Sequence, residues 1–274
     1  MRILVTGDRG FIGSQLSQRL CSLGHAVKGL DLKEGFDLCY KEQVDSVVKE
    51  CLPEAIYHLA SYTDVGESML RPGRYVHNNV DGTLNLINAV KEIKLSPKFI
   101  FASSASVYGE AESIPATEEA PTSPISIYGL TKVLCERITR FNMAEYIILR
   151  ISNVYGDGGK SFLNELLTKK HSLRVHEGGK VSRDYVHVED VVNALVKSLE
   201  LDSSEVINIS SGKETFLFQL LHYLPRDFNY VSIPLPFYTP RRSCLDNSRA
   251  KAKLGWVPQH DVEKWFKTTA RRHE

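Results

Sequence analysis

The sequence predicts an α/β fold, a doubly wound parallel sheet with helices on both faces and a small interleaved C-terminal lobe. Three observations carry this. Short apolar segments alternate with helical ones through the first half, as strand–helix–strand crossovers require. The strands lack the in-and-out alternation of a half-exposed sheet and so fit burial on both faces. The second half loses that rhythm: Gly156 to Gly159, Gly178-Gly179 and the prolines crowded from Pro225 to Pro240 mark loops.

In order, strands are expected at Arg2–Thr6, Ala26–Asp31, Ala55–Leu59, Lys98–Ser103 and Tyr146–Ile151. Helices fall at about Phe11–Leu23, Lys41–Cys51, Asn79–Lys94 and Tyr128–Phe141. Further on, Val188–Leu199 reads as a helix and Val206–Ile209 as a strand. The expected division is residues 1–155 for the sheet domain, with part of 184–210 returning to it, and 156–274 for the lobe.

A chain of 274 residues with 42% apolar content supports one large domain, or one with a smaller partner, and excludes a disordered protein. Net charge is +1 without a Lys/Arg block, so nothing asks for nucleic acid or an anionic membrane surface. No apolar run is long enough to span a bilayer. The chain start runs straight into Ile3-Leu4-Val5 without a secretory pattern, so a cytoplasmic protein is expected. The five cysteines are scattered with no Cys-x-x-Cys pair and read as reduced thiols. No metal is expected, and His58 and His187 are read as satisfied structural histidines.

Gly7, Gly10 and Gly13 lie between the first strand and the first helix, in Val5-Thr6-Gly7-Asp8-Arg9-Gly10-Phe11-Ile12-Gly13. A helix start offers free backbone N–H groups and a positive dipole end, which together hold a pyrophosphate. Glycines let the backbone turn tightly and approach that phosphate, the arrangement of Rossmann-like dinucleotide sites. Phe11 and Ile12 belong to the same turn. Asp31 closes the second strand eighteen residues past Gly13. A carboxylate there accepts from a ribose diol and repels a 2′-phosphate, which favours NAD over NADP. Arg9 and Lys33 act the other way, since either could reach a 2′-phosphate.

Tyr128 and Lys132, four apart, share one helix face. A neighbouring ammonium, helped by the positive nicotinamide ring, lowers the phenol below its ordinary pKa near 10, which lets Tyr128 take or return a hydroxyl proton. Ser103-Ser104-Ala105-Ser106-Val107-Tyr108-Gly109 follows a strand at its carboxyl end, where such sheets bind ligands.

With these motifs the chain resembles the extended short-chain dehydrogenase/reductases, the family of nucleotide-sugar epimerases, dehydratases, decarboxylases and 4-ketoreductases. The likeness extends through His58-Leu59-Ala60-Ser61, Asn79-Val80-Asp81-Gly82-Thr83 and Tyr128-Gly129-Leu130-Thr131-Lys132. It continues in Arg150 to Gly156, Arg183 to Asp190 and Ala250 to Trp256. The resemblance implies that Ser104 polarises the sugar oxygen, Tyr128 is the acid/base and Lys132 holds the nicotinamide ribose. It places Asp37 and Leu38 near the adenine, and Leu59, Ala60 and Ser61 along the cofactor. Ser106 and Asn153 would touch the sugar-nucleotide and Arg183 its diphosphate, while Asn79 is structural.

Relatives of this kind that dehydrate carry an Asp-Glu pair after a threonine, where this chain has Ala105-Ser106; decarboxylases keep a glutamate at the place of Ser106. The resemblance therefore implies a 4-epimerase working through a transient 4-keto sugar, with a 4-ketoreductase as the alternative. A catalytically silent dinucleotide-binding scaffold is the reading from a different class. The Arg-x-Gly-Asp segment common before the last motif is absent; Pro240-Arg241-Arg242 stands there, and Arg242 is the candidate to supply its charge. Family members often pair two helices across a two-fold axis, which implies a homodimer formed through Leu84, Ile87, Val133 and Ile138.

Overall fold

Successive residues of a strand point to opposite faces, and here both faces are covered. Ile3 and Val5 enter one core with Leu16, Leu20 and Leu195, while Leu4 between them enters a second with Val48, Leu86 and Val90. Each such fully buried aliphatic side chain contributes roughly 1.5–3 kcal/mol. The computed structural model describes residues 1–159, 161–168, 173–224 and 228–271; Pro225 lies outside the described residues.

The strands are β1 (Arg2–Thr6), β2 (Ala26–Leu30), β3 (Ala55–His58), β4 (Lys98–Ser104), β5 (Tyr146–Ile151), β6 (Asn153–Tyr155), β7 (Leu173–His176), β8 (Ser182–His187), β9 (Glu205–Ile209), β10 (Glu214–Phe216) and β11 (Tyr230–Ile233). Six form one parallel sheet in the order β2-β1-β3-β4-β5-β9. The chain moves outward from β1 to β2, then back across β1 to β3. That reversal opens a crevice at the carboxyl ends of β1 and β3, and the site lies there.

The first-half helices end within about one residue of expectation, with one exception. Instead of a single Asn79–Lys94 helix, a π-helical turn over Val76–Asp81 precedes a helix at Gly82–Glu92. The Asn79 carbonyl is engaged by side chains, accepting from Thr83 Oγ1 at 2.6 Å and Cys135 Sγ at 3.2 Å. This side-chain competition accompanies the wider turn.

Beyond β5 the chain builds a third core from Tyr155, Leu163, Tyr185, Leu217 and Phe266. Around it lie a small sheet, β10-β8-β6, and a parallel pair, β7 with β11. The helix Val188–Ser198 packs on the main sheet, which β9 extends beside β5. So do Ala250, Leu254 and Trp256, whose indole N–H donates to the Asp190 carbonyl at 2.9 Å. Among the described residues no helix is long and apolar enough to cross a membrane, and all five cysteines are unpaired.

The helix faces correct the expected dimer contacts. Ile87 and Val133 are buried, and Leu84 and Ile138 pack on the sheet's core. The exposed apolar residues of the Ile127–Asn142 helix are Leu130, Leu134 and Phe141, on a different helical stripe.

Candidate active site

The turn after β1 is fixed by contacts that only glycine allows. Gly7 has φ +73°, and a Cβ there would lie 2.9 Å from the Ala60 backbone at the end of β3; one at Gly13 would lie 2.0 Å from the Gly7 carbonyl oxygen. Gly10 caps the Phe11–Ser22 helix in extended conformation, and no acidic residue occupies the first turn. The N–H groups of Phe11, Ile12 and Gly13 have no acceptor further back in their helix and face the crevice with the positive dipole end. This bare cradle fits the pyrophosphate of a dinucleotide.

Two adjoining cavities meet here. The smaller, about 170 Å³, is lined by Gly7, Asp31, Asp37, Leu38 and Ala60, and shares Gly10, Leu59 and Ser61 with the larger. The larger, about 1080 Å³, runs from Phe11, Ile12 and Gly13 past Ser104, Ser106, Tyr128 and Lys132 to Asn153 and Arg183. Asp31 accepts from the Lys33 N–H at 2.9 Å and the Arg9 N–H at 3.0 Å. Asp37 accepts from the Cys39 N–H at 2.9 Å, which braces the smaller cavity's wall.

At the end of β4 the Ser104 hydroxyl accepts from the Ser106 N–H at 3.2 Å and lies 3.2 Å from the Ser106 hydroxyl. Opposite, Ser126 caps the Ile127–Asn142 helix through the Gly129 N–H at 3.1 Å. The Tyr128 N–H donates to Ser68 Oγ at 3.1 Å. These bonds set the helix start, so Tyr128 and Lys132 face the cleft one turn apart. Lys132 Nζ donates to the Ala102 carbonyl at 2.8 Å and lies 5.8 Å from the Tyr128 ring centroid.

In the protein by itself burial outweighs any pull of Lys132 on the phenol, and the expected lowering also draws on the positive nicotinamide ring. Burial dominates and pushes Tyr128 up to about 12, with a hydrogen bond to Ser104 opposing it. Burial also pushes Lys132 down to about 8, against the pull of Cys135 and Glu136. The ammonium is spent on the Ala102 carbonyl. Beneath the serine loop lies a buried ion pair. Arg150 Nη2 bonds Glu136 Oε2 at 2.8 Å, Ser103 donates to Glu136 at 2.6 Å, and Arg150 Nη1 reaches the Tyr108 hydroxyl at 3.0 Å.

On the facing lobe, Asn153 starts β6 in register with Tyr185 of β8. Arg183 of β8 lines the cleft, donates to the Ser182 carbonyl at 2.5 Å, and among the described residues has no carboxylate within ion-pair distance. Arg242 is not brought to the cleft. Glu214 holds its guanidinium in a fork at 2.7 and 2.6 Å, and Arg241 is paired with Glu177. The second arginine of the lobe wall is Arg174 on β7, which sequence reasoning missed. Its signal was the alternation Leu173-Arg174-Val175-His176, in which Leu173 and Val175 are buried while Arg174 and His176 line the cleft.

The other singled-out polar residues are satisfied internally. Asn79 donates to the Tyr62 carbonyl at 3.1 Å and Thr131 Oγ1 at 3.0 Å. His58 lies between the hydroxyls of Thr6 at 2.7 Å and Thr83 at 2.9 Å, and burial pushes it down to about 3. The fold does bring ligand atoms of His187, Glu189 and His260 within 4.8 Å of one another, a grouping the sequence did not suggest. The two imidazoles stack at 4.1 Å and 22°. His187 Nδ1 accepts from the Glu189 N–H at 3.3 Å, and His260 Nδ1 meets Asp190 at 3.1 Å, so this group ties the C-terminal segment to a helix start.

A switch-point crevice with a bare glycine cradle, and a serine, tyrosine and lysine beyond it, defines a dinucleotide-dependent class of α/β protein. The sequence model of the NAD dependent epimerase/dehydratase family matches residues 3–210, and the chain belongs to that family. It is similar to the UDP-glucose 4-epimerase of Mycolicibacterium smegmatis, at 32% identity over 94% of each chain. In structure it is similar to the UDP-glucose 4-epimerase of Thermotoga maritima with UDP-glucose, at 31% identity and TM-score 0.89 over 99% of this chain and 98% of that one. It is also similar to the Thermus thermophilus UDP-glucose 4-epimerase complexed with NAD, at 26% identity and TM-score 0.88 over 100% and 99%.

Proposed function

We propose that this protein is an NAD-dependent nucleotide-sugar 4-epimerase. The carrying observation is the convergence of Ser104, Tyr128 and Lys132 on one cleft, with Ala105 and Ser106 beside them in place of any acid–base pair. The glycine cradle and the smaller cavity hold NAD, with NADP as the alternative, and a bound NAD supplies reversible two-electron oxidation of the sugar carbon C4. Ser104 orients the C4 oxygen through its hydroxyl. Tyr128 takes the C4 hydroxyl proton and later returns it. A phenol held near 12 rests protonated, the form that donates to a ketone. Its ionised form relies on the Ser104 hydroxyl and on the Lys132 ammonium turning from Ala102. Asn153 and Ser106 contact the sugar-nucleotide, and Arg183 faces its diphosphate with a guanidinium fork suited to phosphate.

In the same proposal, residues 1–155 with the returning segment carry the dinucleotide and the lobe after residue 156 carries the sugar-nucleotide. The protein works in the cytoplasm, consistent with five unpaired thiols, as a homodimer joined through the stripe of Leu130, Leu134 and Phe141. Light scattering that gives a monomer at micromolar concentration rejects the dimer.

The function is tested by incubating the purified protein with UDP-glucose, UDP-galactose and their N-acetyl forms, with no nicotinamide added, and following the sugars by NMR. Appearance of C4 epimers is the expected result. No conversion, together with consumption of NAD(P)H by a 4-keto-6-deoxy nucleotide sugar, replaces the epimerase with a 4-ketoreductase.

A further inference from the structure

We infer that Glu34 sets the dinucleotide preference by holding Arg9, so that the position beside Asp31 admits a ribose hydroxyl and resists a 2′-phosphate. The inference rests on the dinucleotide reading of the Gly7–Gly13 turn. Asp31 uses its two oxygens separately, Oδ2 accepting from the Arg9 N–H and Oδ1 from the Lys33 N–H. Each oxygen keeps a lone pair for a ribose hydroxyl. The side chains of those same two residues are the cations a 2′-phosphate would need, and both are engaged. Arg9 Nε donates to Glu34 Oε1 at 2.6 Å, Nη2 bonds the same oxygen, and Nε lies 3.5 Å from Asp8. Lys33 Nζ donates to the Arg9 carbonyl at 2.8 Å.

Charge tells the same story. Asp8, Asp31 and Glu34 surround Arg9 closely enough for all three to raise its pKa. Asp8 is buried and its Oδ1 has no hydrogen-bond partner among the described residues, and it fits only because β2 carries a glycine beside it: a Cβ at Gly29 would lie 2.2 Å from Asp8 Oδ2. A dianionic phosphate here meets three carboxylates and two engaged cations. Freed from Glu34, Arg9 would present the planar fork that binds phosphate in two places. The pair is half open to solvent, with side chains 53% and 38% exposed, so it is weak and one substitution suffices to undo it.

The test is direct titration of the full-length protein with NADH and with NADPH, read by nicotinamide fluorescence. Wild type is expected to bind NADH more tightly. Glu34→Gln is expected to tighten NADPH by about three- to fivefold while NADH moves by less than about twofold. Adding Arg9→Ala to Glu34→Gln is expected to abolish the gain. Binding of both dinucleotides with an unchanged NADPH-to-NADH ratio in Glu34→Gln, or a wild type that already prefers NADPH, overturns the latch and leaves the cofactor reading standing. Binding of neither by any of the proteins removes the cofactor reading itself, and the latch with it.

Discussion

Across the cleft, the sheet side combines a backbone cradle with the fixed side chains of Ser104, Tyr128 and Lys132, whereas the lobe presents side chains alone. On the sheet side, Gly7, Gly10 and Gly13 expose N–H groups, and the tolerance is set by atoms 2.0 to 3.0 Å from where a Cβ would stand. On the lobe side, Arg174, Arg183 and Asn153 extend from strands of four, six and three residues into open space. Backbone sites restrict which residues may occupy a position, so they leave a mark in the sequence. Side-chain sites restrict only where a flexible group ends up, and they leave much less of one. Substitutions on the sheet side should therefore act on chemistry or on folding, and those on the lobe side on affinity for the sugar-nucleotide.

The sharpest test of the sheet side is Tyr128→Phe. Removing one buried hydroxyl takes away the proposed acid/base and leaves the ring's packing intact. Turnover should fall about 10²- to 10⁴-fold, with dinucleotide titration nearly unchanged. Undiminished turnover would return the protein to the silent-scaffold reading, or would require another acid.

On the lobe side the comparison sets two arginines against each other. Among the described residues Arg183 faces the cleft without a carboxylate partner, whereas Arg242 is held by Glu214. Arg183→Ala should raise KM for the nucleotide sugar about ten- to hundredfold, the scale of one lost charged hydrogen bond. Arg242→Ala should move it by less than about twofold. The reverse order would mean that the lobe closes differently around its ligand and that Glu214 releases Arg242 on binding.

This contrast also explains what could be read in advance. Strands β1, β3, β4 and β5 were legible because burial on both faces demands apolar runs, the edge strand β2 from its place between two helices, and the glycine turn because space demands it. Ser104, Tyr128 and Lys132 were legible as a set because helix spacing and a strand end bring them to one place. The lobe strands β6, β7, β8, β10 and β11 were not. They are three to six residues long, and polar pocket residues interrupt their pattern. Arg242 was chosen by its position in the chain, and the carboxylate that claims it, Glu214, lies 28 residues earlier. The opposing influence of burial on Tyr128 and Lys132 was not legible, because spacing reports neighbours but not burial.

The smallest expected effect probes that last point. Burial holds Lys132 near 8, against 10.5 when unburied. Below pH 8 the amine is protonated in both folded and unfolded chains, and its full burial penalty weighs on the fold. Between pH 8 and 10.5 the unfolded chain binds more protons than the folded one, so this group's contribution to stability improves as pH rises. Tyr128 acts in the opposite direction but only above pH 10, where the unfolded phenol ionises and the buried one, near 12, does not. The window from pH 8 to pH 10 therefore isolates the lysine. Across it, wild type should gain about 2 kcal/mol relative to Lys132→Met, read as the difference between their thermal midpoints at each pH. Groups that do not sense Lys132 cancel in that difference, and Cys135, whose buried thiol does sense it, is removed by making both proteins on a Cys135→Ala background. A flat difference would mean that Lys132 keeps an ordinary pKa and stays charged across the working range. Tyr128 would then have a permanent cation one helical turn away, and its ionisation would depend on moving that ammonium from the Ala102 carbonyl and not on protonating it.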